Sequence, residues 1–254
     1  MMRPTERFSS RADAYARFRP SYPPPAIDLL AARCGLVQGA AVVDVGSGTG
    51  ILTELLLARG AQVFAVEPND AMRAAAEAQL GRYPKFRSIE GSAEASTLAR
   101  ASVDLLVAGQ AFHWFDGPRA RAEALRVLRP GGWAALLWNE RPREPTPFLG
   151  DYEALLKRHA PEYTRITASR ANPDTMREFL GPTMEVATFP NEQILDFEGL
   201  TGRLMSSSYA PEPGSEDYQP MIALLREVFE RHERDGHIVM PYRTLVYFSQ
   251  LRAM

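Results

Sequence analysis

Apolar residues follow two rhythms along this chain. Unbroken runs at AAVVDV (40–45), QVFAV (62–66), VDLLVA (103–108) and WAALLW (133–138) read as strands buried on both faces. Phe86–Ile89 is a shorter strand of the same kind. Between them, apolar positions recur at helical spacing over Ala26–Cys34, Ile51–Arg59, Asp70–Leu80 and Arg119–Leu128. Gly35 and Gly60 close the first two helices, Asp70 stands near the start of the third, and Pro130-Gly131-Gly132 stops the fourth. Strand alternating with helix predicts an α/β fold: a mostly parallel sheet with helices on both faces.

The flanks are less regular. Residues 5–18 read as a short helix with Phe8, Tyr15 and Phe18 roughly on one side, broken by Pro20 and the prolines at 23–25. After about residue 140, PREPTPF and ANPDT mark loops. Tyr152–His159 and Ala223–Arg234 read as helices. Glu185–Phe197 reads as two strand pieces around Pro190-Asn191, and Ile238–Phe248 as a last strand. These 254 residues make one elaborated domain: 1–34 as N-terminal lid helices, 35–140 as the core, and 141–254 as cap and sheet completion.

Composition narrows the function classes. The formal net charge is −2, so nucleic acid is not expected as a partner. All but two of the 29 basic residues are arginines, the exceptions being Lys85 and Lys157, and they are scattered along the chain. A lone cysteine, Cys34, excludes an internal disulfide, and four dispersed histidines give no metal site. No run approaches the ~18 apolar residues of a membrane helix. The N-terminus is Arg-rich, but Glu6, Asp13 and its aromatics favour folded protein over a transit peptide. The expected location is the cytoplasm.

The sharpest motif is Asp44-Val45-Gly46-Ser47-Gly48-Thr49-Gly50, where the first buried strand meets a helix. Glycines let backbone approach a ligand closely, and the free amides of a helix start favour negative groups. Glu67 follows at the end of the second strand, 21 residues after Gly46. A carboxylate there is suited to two ribose hydroxyls. Loop and acid together describe an adenosine-containing ligand. A dinucleotide loop would carry glycine where Ile51 stands, and Asp44 suits a cationic, amino-bearing ligand better than a pyrophosphate. This favours S-adenosylmethionine over NAD.

VVDVGSGTG, AVEP, SVDLLVAGQAFHWF and RVLRPGG resemble the successive motifs of class I S-adenosylmethionine-dependent methyltransferases. The resemblance is strongest to the trans-aconitate methyltransferase-like branch, which also shows a segment like YARFRPSYP (15–23); it spans about residues 8–140, with later echoes in SSSYAP and MPYRTLVY. It implies a Rossmann-like fold with a seven-stranded, mostly parallel sheet, an antiparallel last strand, an N-terminal lid and a C-terminal cap. Ser47 stands where the family commonly has Cys, and Ser92 where many relatives have Asp.

The resemblance also implies roles. Gly46, Ser47, Gly48 and Gly50 would lie under the methionine part of the cofactor, with Asp44 supporting its amino-acid end. Glu67 and Pro68 would hold the ribose, Met72 would pack on adenine, and Ser92 and Ala93 would edge it; Gln110 would reach the methionine group. Met72 reads equally as a helix core residue. His113 and Tyr15 are the candidates for work on the transferred group. Arg19, Tyr22, Trp114, Ser207 and Tyr209, with His113, are the substrate candidates. Methyl transfer to a carboxylate needs no base, so His113 also reads as a packed loop residue, and Arg19 as a solvated one. The expected product of the cofactor is S-adenosylhomocysteine. The expected acceptor is a small molecule, with an oxygen nucleophile preferred and nitrogen or carbon open. An NAD-dependent oxidoreductase and a cofactor-binding module without turnover are the rival readings. Monomer and homodimer are both open.

Overall fold

The computed structural model describes residues 12–142, 144, 146–160, 162–164 and 172–252. Its centre is a seven-stranded sheet in the order β3-β2-β1-β4-β5-β7-β6. β1 (Ala41–Val45), β2 (Gln62–Glu67), β3 (Phe86–Glu90), β4 (Val103–Gly109) and β5 (Leu128–Glu140) pair in parallel, while β7 (Ile238–Gln250) runs antiparallel to both β5 and β6 (Glu185–Leu195). This is the Rossmann-like methyltransferase topology expected from the sequence.

Side chains alternate across the pleat, so neighbours in one strand serve opposite cores. Val42, Val63, Leu105 and Leu137 face α2 (Pro24–Arg33) and α3 (Ile51–Ala58). Val43, Leu106, Leu136 and Trp138 face α5 (Gly117–Val127) and α7 (Pro173–Leu180). A third core joins α6 (Pro147–His159), α8 (Phe197–Met205) and α9 (Tyr218–His232) around Leu156, Leu204 and Leu225, above the end where β7 begins. That third core is the cap. α1 (Ala12–Phe18) lies against α8 and against α4 (Asp70–Leu80). By contrast, Ala26, Ile27 and Leu30 of α2 are core residues of the sheet. Residues 5–11 of the expected first helix lie outside the described residues.

Several boundaries differ from the sequence reading, each for a physical reason. Asn69, one residue before Asp70, caps α4 by accepting from the Met72 amide at 2.9 Å. β6 is one strand through Pro190, not two pieces. It is an edge strand bonded only to β7, and an edge tolerates a missing N–H. Residues 172–175 of the ANPDT stretch open α7: Asn172 caps it through the Asp174 amide at 2.9 Å, and Pro173 takes the first helical turn. Phe197 begins α8 rather than ending a strand, because Asp196 caps the helix through Gly199 N at 2.7 Å.

Candidate functional site

The carboxyl ends of the parallel strands open into a cavity of about 600 Å³. Its β2 and β3 side carries Gly48, Glu67, Met72, Ser92 and Ala93. Its β5 and cap side carries Asn139, Arg141, Arg203, Tyr209 and Tyr242. His113, Trp114 and Gln110 line the stretch after β4, and Tyr15 and Arg19 close it from α1.

β1 and β2 end side by side, and this sets the loop geometry. Val66 O accepts from Gly46 N at 2.8 Å and from Ser47 N at 3.2 Å. Gly46 lies at φ +67°, and a Cβ there would sit 2.7 Å from the Ala111 methyl. Gly50 lies at φ +87°, and its Cβ would sit 2.5 Å from Leu80 Cδ1. These two glycines are required by the local backbone and packing. Neither Gly50 nor Asp44 touches the main cavity, and Ser47 faces a small adjoining cleft with Tyr22.

Glu67 is buried at the strand tip. One carboxylate oxygen accepts from Gly48 N and the other from Asn69 N, both at 2.9 Å. Burial raises its pKa, against the pull of those two amides. Each oxygen keeps lone-pair capacity toward the cavity. Asp44 lies behind the loop, fully buried, with Oδ2 accepting from Thr53 Oγ1 at 2.7 Å and Oδ1 unpartnered. Burial pushes its pKa up to about 7, and the nearby Glu67 charge adds to the rise.

The remaining candidates divide. Met72 is buried but forms cavity wall, so it is both a helix core residue and a pocket residue. Gln110, at φ +58°, donates from Nε2 to Asn139 O at 3.0 Å and bridges β4 to β5. His113 sits in a single 3₁₀ turn, Phe112–Trp114, with its ring 4.6 Å from that of Trp114 and 6.1 Å from that of Trp138. Arg19 lies 4.7 Å above the Tyr15 ring and donates to Ser206 O at 2.7 Å, so it ties α1 to the end of α8 and is not a solvated side chain. Tyr22 is core, and burial pushes its hydroxyl well above the usual range; its oxygen stands where a Cβ on Gly109 would be. Ser207 is fully buried and accepts from Arg203 at 3.2 Å; it stands outside the cavity wall that Tyr209 forms. Asp104 accepts from Ala41 N at 2.9 Å and from Arg129.

Residues 43–136 match the family model described as a methyltransferase domain. Over those residues the chain is thus similar to methyltransferase domains. It is 46% identical over 136 residues to an uncharacterized methyltransferase of Mycobacterium tuberculosis, covering 53% of this chain and 52% of that one. The chain thus spans about half the length of the first curated relatives it matches. It is 34% identical over 162 residues to the trans-aconitate 2-methyltransferase of Rhizobium meliloti, covering 63% and 61%. Haemonchus contortus phosphoethanolamine N-methyltransferase 2, solved in complex with S-adenosyl-L-methionine, superposes with a TM-score of 0.58 at 13% identity, over 98% of this chain and 61% of that one.

The residues around the cavity fit S-adenosylmethionine. The buried Glu67 carboxylate faces the cavity from the tip of β2, an unpartnered Asp44 oxygen and an unpartnered Thr49 hydroxyl lie beneath the loop, and Gly48 presents backbone without a side chain. Among the described residues, no group of three or more His, Cys, Asp or Glu could hold a metal ion. No described helix is long and apolar enough to cross a membrane. Arg141 contacts Tyr163 and Glu153. Sequence reasoning missed Arg203 altogether. The available signal was an arginine between Leu200 and Leu204 on the buried face of a helix.

Proposed function

We propose that this protein transfers a methyl group from S-adenosylmethionine to a small-molecule acceptor, with an oxygen of that acceptor as nucleophile. The observation that carries the cofactor half is Glu67, held by the Gly48 and Asn69 amides and aimed at the cavity. Oxygen as the nucleophile is supported by the likeness to a trans-aconitate 2-methyltransferase. S-adenosylmethionine, when bound, supplies an electrophilic methyl group on a positively charged sulfur.

The chain's own part is to hold, aim and exclude water. Glu67 fixes the ribose; Met72, Ser92 and Ala93 bound the adenine; Gly46 and Gly48 let the methionine end lie on backbone. Tyr15 and Arg19 close the mouth from α1, and His113, Trp114 and Trp138 wall the space where the acceptor meets the methyl group. Orientation and exclusion of water are the sources of rate that such a site provides. An ionised acceptor oxygen needs no base, which leaves His113 to position the acceptor.

Calorimetry with S-adenosylhomocysteine and with NAD tests the reading. Binding of the first at micromolar concentration and none of the second is expected. The reverse pattern overturns it. Mass spectrometry of an acceptor panel incubated with labelled S-adenosylmethionine then separates an enzyme from a binding module.

A further inference from the structure

The cavity wall on the cap side holds more positive charge than the described residues neutralise. Arg203 is half-buried on α8. Its Nε donates to Tyr242 Oη at 3.0 Å and its Nη1 to Ser207 Oγ at 3.2 Å. Among the described residues no carboxylate lies within ion-pair distance of it, and none accepts a hydrogen bond from its Nη2. Arg141 reaches the same wall from the end of β5. Its Nη2 donates to Tyr163 Oη at 2.7 Å, and its Nη1 is buried without a hydrogen-bond partner, 3.7 Å from Glu153. The two guanidiniums are close enough for their charges to act on each other.

Tyrosines surround the pair. Arg141 lies 5.6 Å from the Tyr152 ring centroid and 5.5 Å from that of Tyr163, and Arg203 lies 6.0 Å from that of Tyr242. Burial raises the pKa of Tyr152 and of Tyr163, so both stay neutral and supply no counter-charge. Glu153 is shared between Arg141, Lys157 and the Tyr163 hydroxyl. Two like charges held near each other with so little compensation are unfavourable unless something anionic joins them. The open direction of both is the cavity.

Their position relative to the cofactor elements is set by the sheet. Glu67 ends β2 and Arg141 follows β5, three strands away in the order β2-β1-β4-β5. At ~4.8 Å per strand this separates them by ~14 Å. The arginines therefore stand on the acceptor side of the cavity.

We propose that Arg141 and Arg203 anchor an anionic group of the methyl acceptor, a carboxylate or a phosphate, with the N–H edges of both guanidiniums turned to it. The inference rests on the methyltransferase reading for its acceptor but not for its anion. It makes the acceptor an organic acid or a phosphomonoester, and makes these two arginines specificity-determining residues. Planar, fixed donors suit such groups, and Ser207 and Tyr242 hold Arg203 in place.

The test is a tryptophan-fluorescence titration, because Trp114 and Trp138 line the cavity. Protein saturated with S-adenosylhomocysteine is titrated with glutarate, glycerol phosphate and neutral glutaramide. Wild type is expected to bind an anionic probe at least tenfold more tightly than glutaramide; whichever of glutarate and glycerol phosphate binds better names the anion. Arg203→Gln and Arg141→Gln are each expected to weaken that probe tenfold or more. Arg203→Lys should recover part of the loss, and exposed Arg82→Gln should change nothing. Equal binding of glutaramide, or anion affinity unchanged in both glutamine variants, overturns the proposal. So does a tenfold loss of S-adenosylhomocysteine with no loss of 5′-methylthioadenosine, which would assign the pair to the cofactor's own carboxylate. If one variant fails to fold, the other variant and the wild-type comparison still decide. If wild type does not bind S-adenosylhomocysteine, the methyltransferase reading fails first, and the same anion titration without it judges the arginines alone.

Discussion

Replacing Glu67 by Gln keeps the shape of the side chain and removes its charge. In the native protein each carboxylate oxygen accepts from one backbone amide at 2.9 Å, Gly48 on one side and Asn69 on the other. Glutamine has one oxygen, so one of these amides then faces an NH₂ group. A buried N–H left without an acceptor costs ~1–3 kcal/mol, which should appear as lost stability. The ligand loses something separate. Hydrogen bonds to charged groups contribute ~1.5–3 kcal/mol against ~0.5–1.5 for neutral ones, a difference of ~1 kcal/mol per ribose hydroxyl. Two hydroxyls give ~2 kcal/mol, or about 30-fold in affinity. Glu67→Ala removes the acceptor altogether and should weaken binding at least ~100-fold. Calorimetry with S-adenosylhomocysteine reads the affinity, and urea unfolding reads the stability. Affinities of both variants within threefold of wild type, in protein that remains folded, would refute the assignment of Glu67 to the ribose.

Four further outcomes are expected. Burial raises the folded pKa of Asp44 to about 7, above its unfolded value, so its contribution to stability is full in acid and is lost as pH rises through about 7; Asp44→Asn should therefore gain stability over wild type at pH 8 relative to pH 5 in urea unfolding. Gly50→Ala places a methyl 2.5 Å from Leu80 Cδ1 at a positive φ, and should lose ~2 kcal/mol in the same assay. Glu123 accepts from Ser96 and from Arg126, which hold its pKa at about 2; Glu123→Gln should lose ~1–3 kcal/mol at pH 7, the gap to wild type closing as pH falls from ~4.5 through about 2. Gly202→Val on α8 would overlap the Phe18 ring of α1; cleavage by trypsin at Arg17 should accelerate while urea stability of the core holds.

The sheet was legible because its strands are buried on both faces, and such strands read as continuous apolar runs whatever covers them. The loop and Glu67 were legible for a related reason. They sit at adjacent strand ends, and strand ends are the points the apolar pattern marks most sharply. The misses have a common cause as well. Asn172-Pro173 and Asp196 are chain punctuation that opens a helix as readily as it forms a loop, and only the packing of Met176, Phe179 and Leu180, or of Leu200 and Leu204, decides which.

The cap wall shows why half of the site stayed hidden. Arg141, Arg203, Tyr209 and Tyr242 come from β5, α8, the segment after it and β7, and no two of them share a local pattern. Nothing in sequence spacing says that Arg203 and Tyr242 lie 3.0 Å apart. What brings them together is the antiparallel turn of β7 back along β5, which carries Tyr242 to the sheet end where Arg141 emerges. The proposed cofactor site is thus written in short, contiguous motifs because one loop and one strand tip make it up. The proposed acceptor site is spread over the cap, where an arginine on a buried helix face, with no carboxylate partner among the described residues, is a more informative mark than any motif. The pairing of these halves also fixes a division of labour: the β2 and β3 side offers a carboxylate and neutral walls, and the β5 and β7 side offers cations. A cationic cofactor on the first and an anionic acceptor on the second would each meet its complement, and each would strengthen the field that draws in the other.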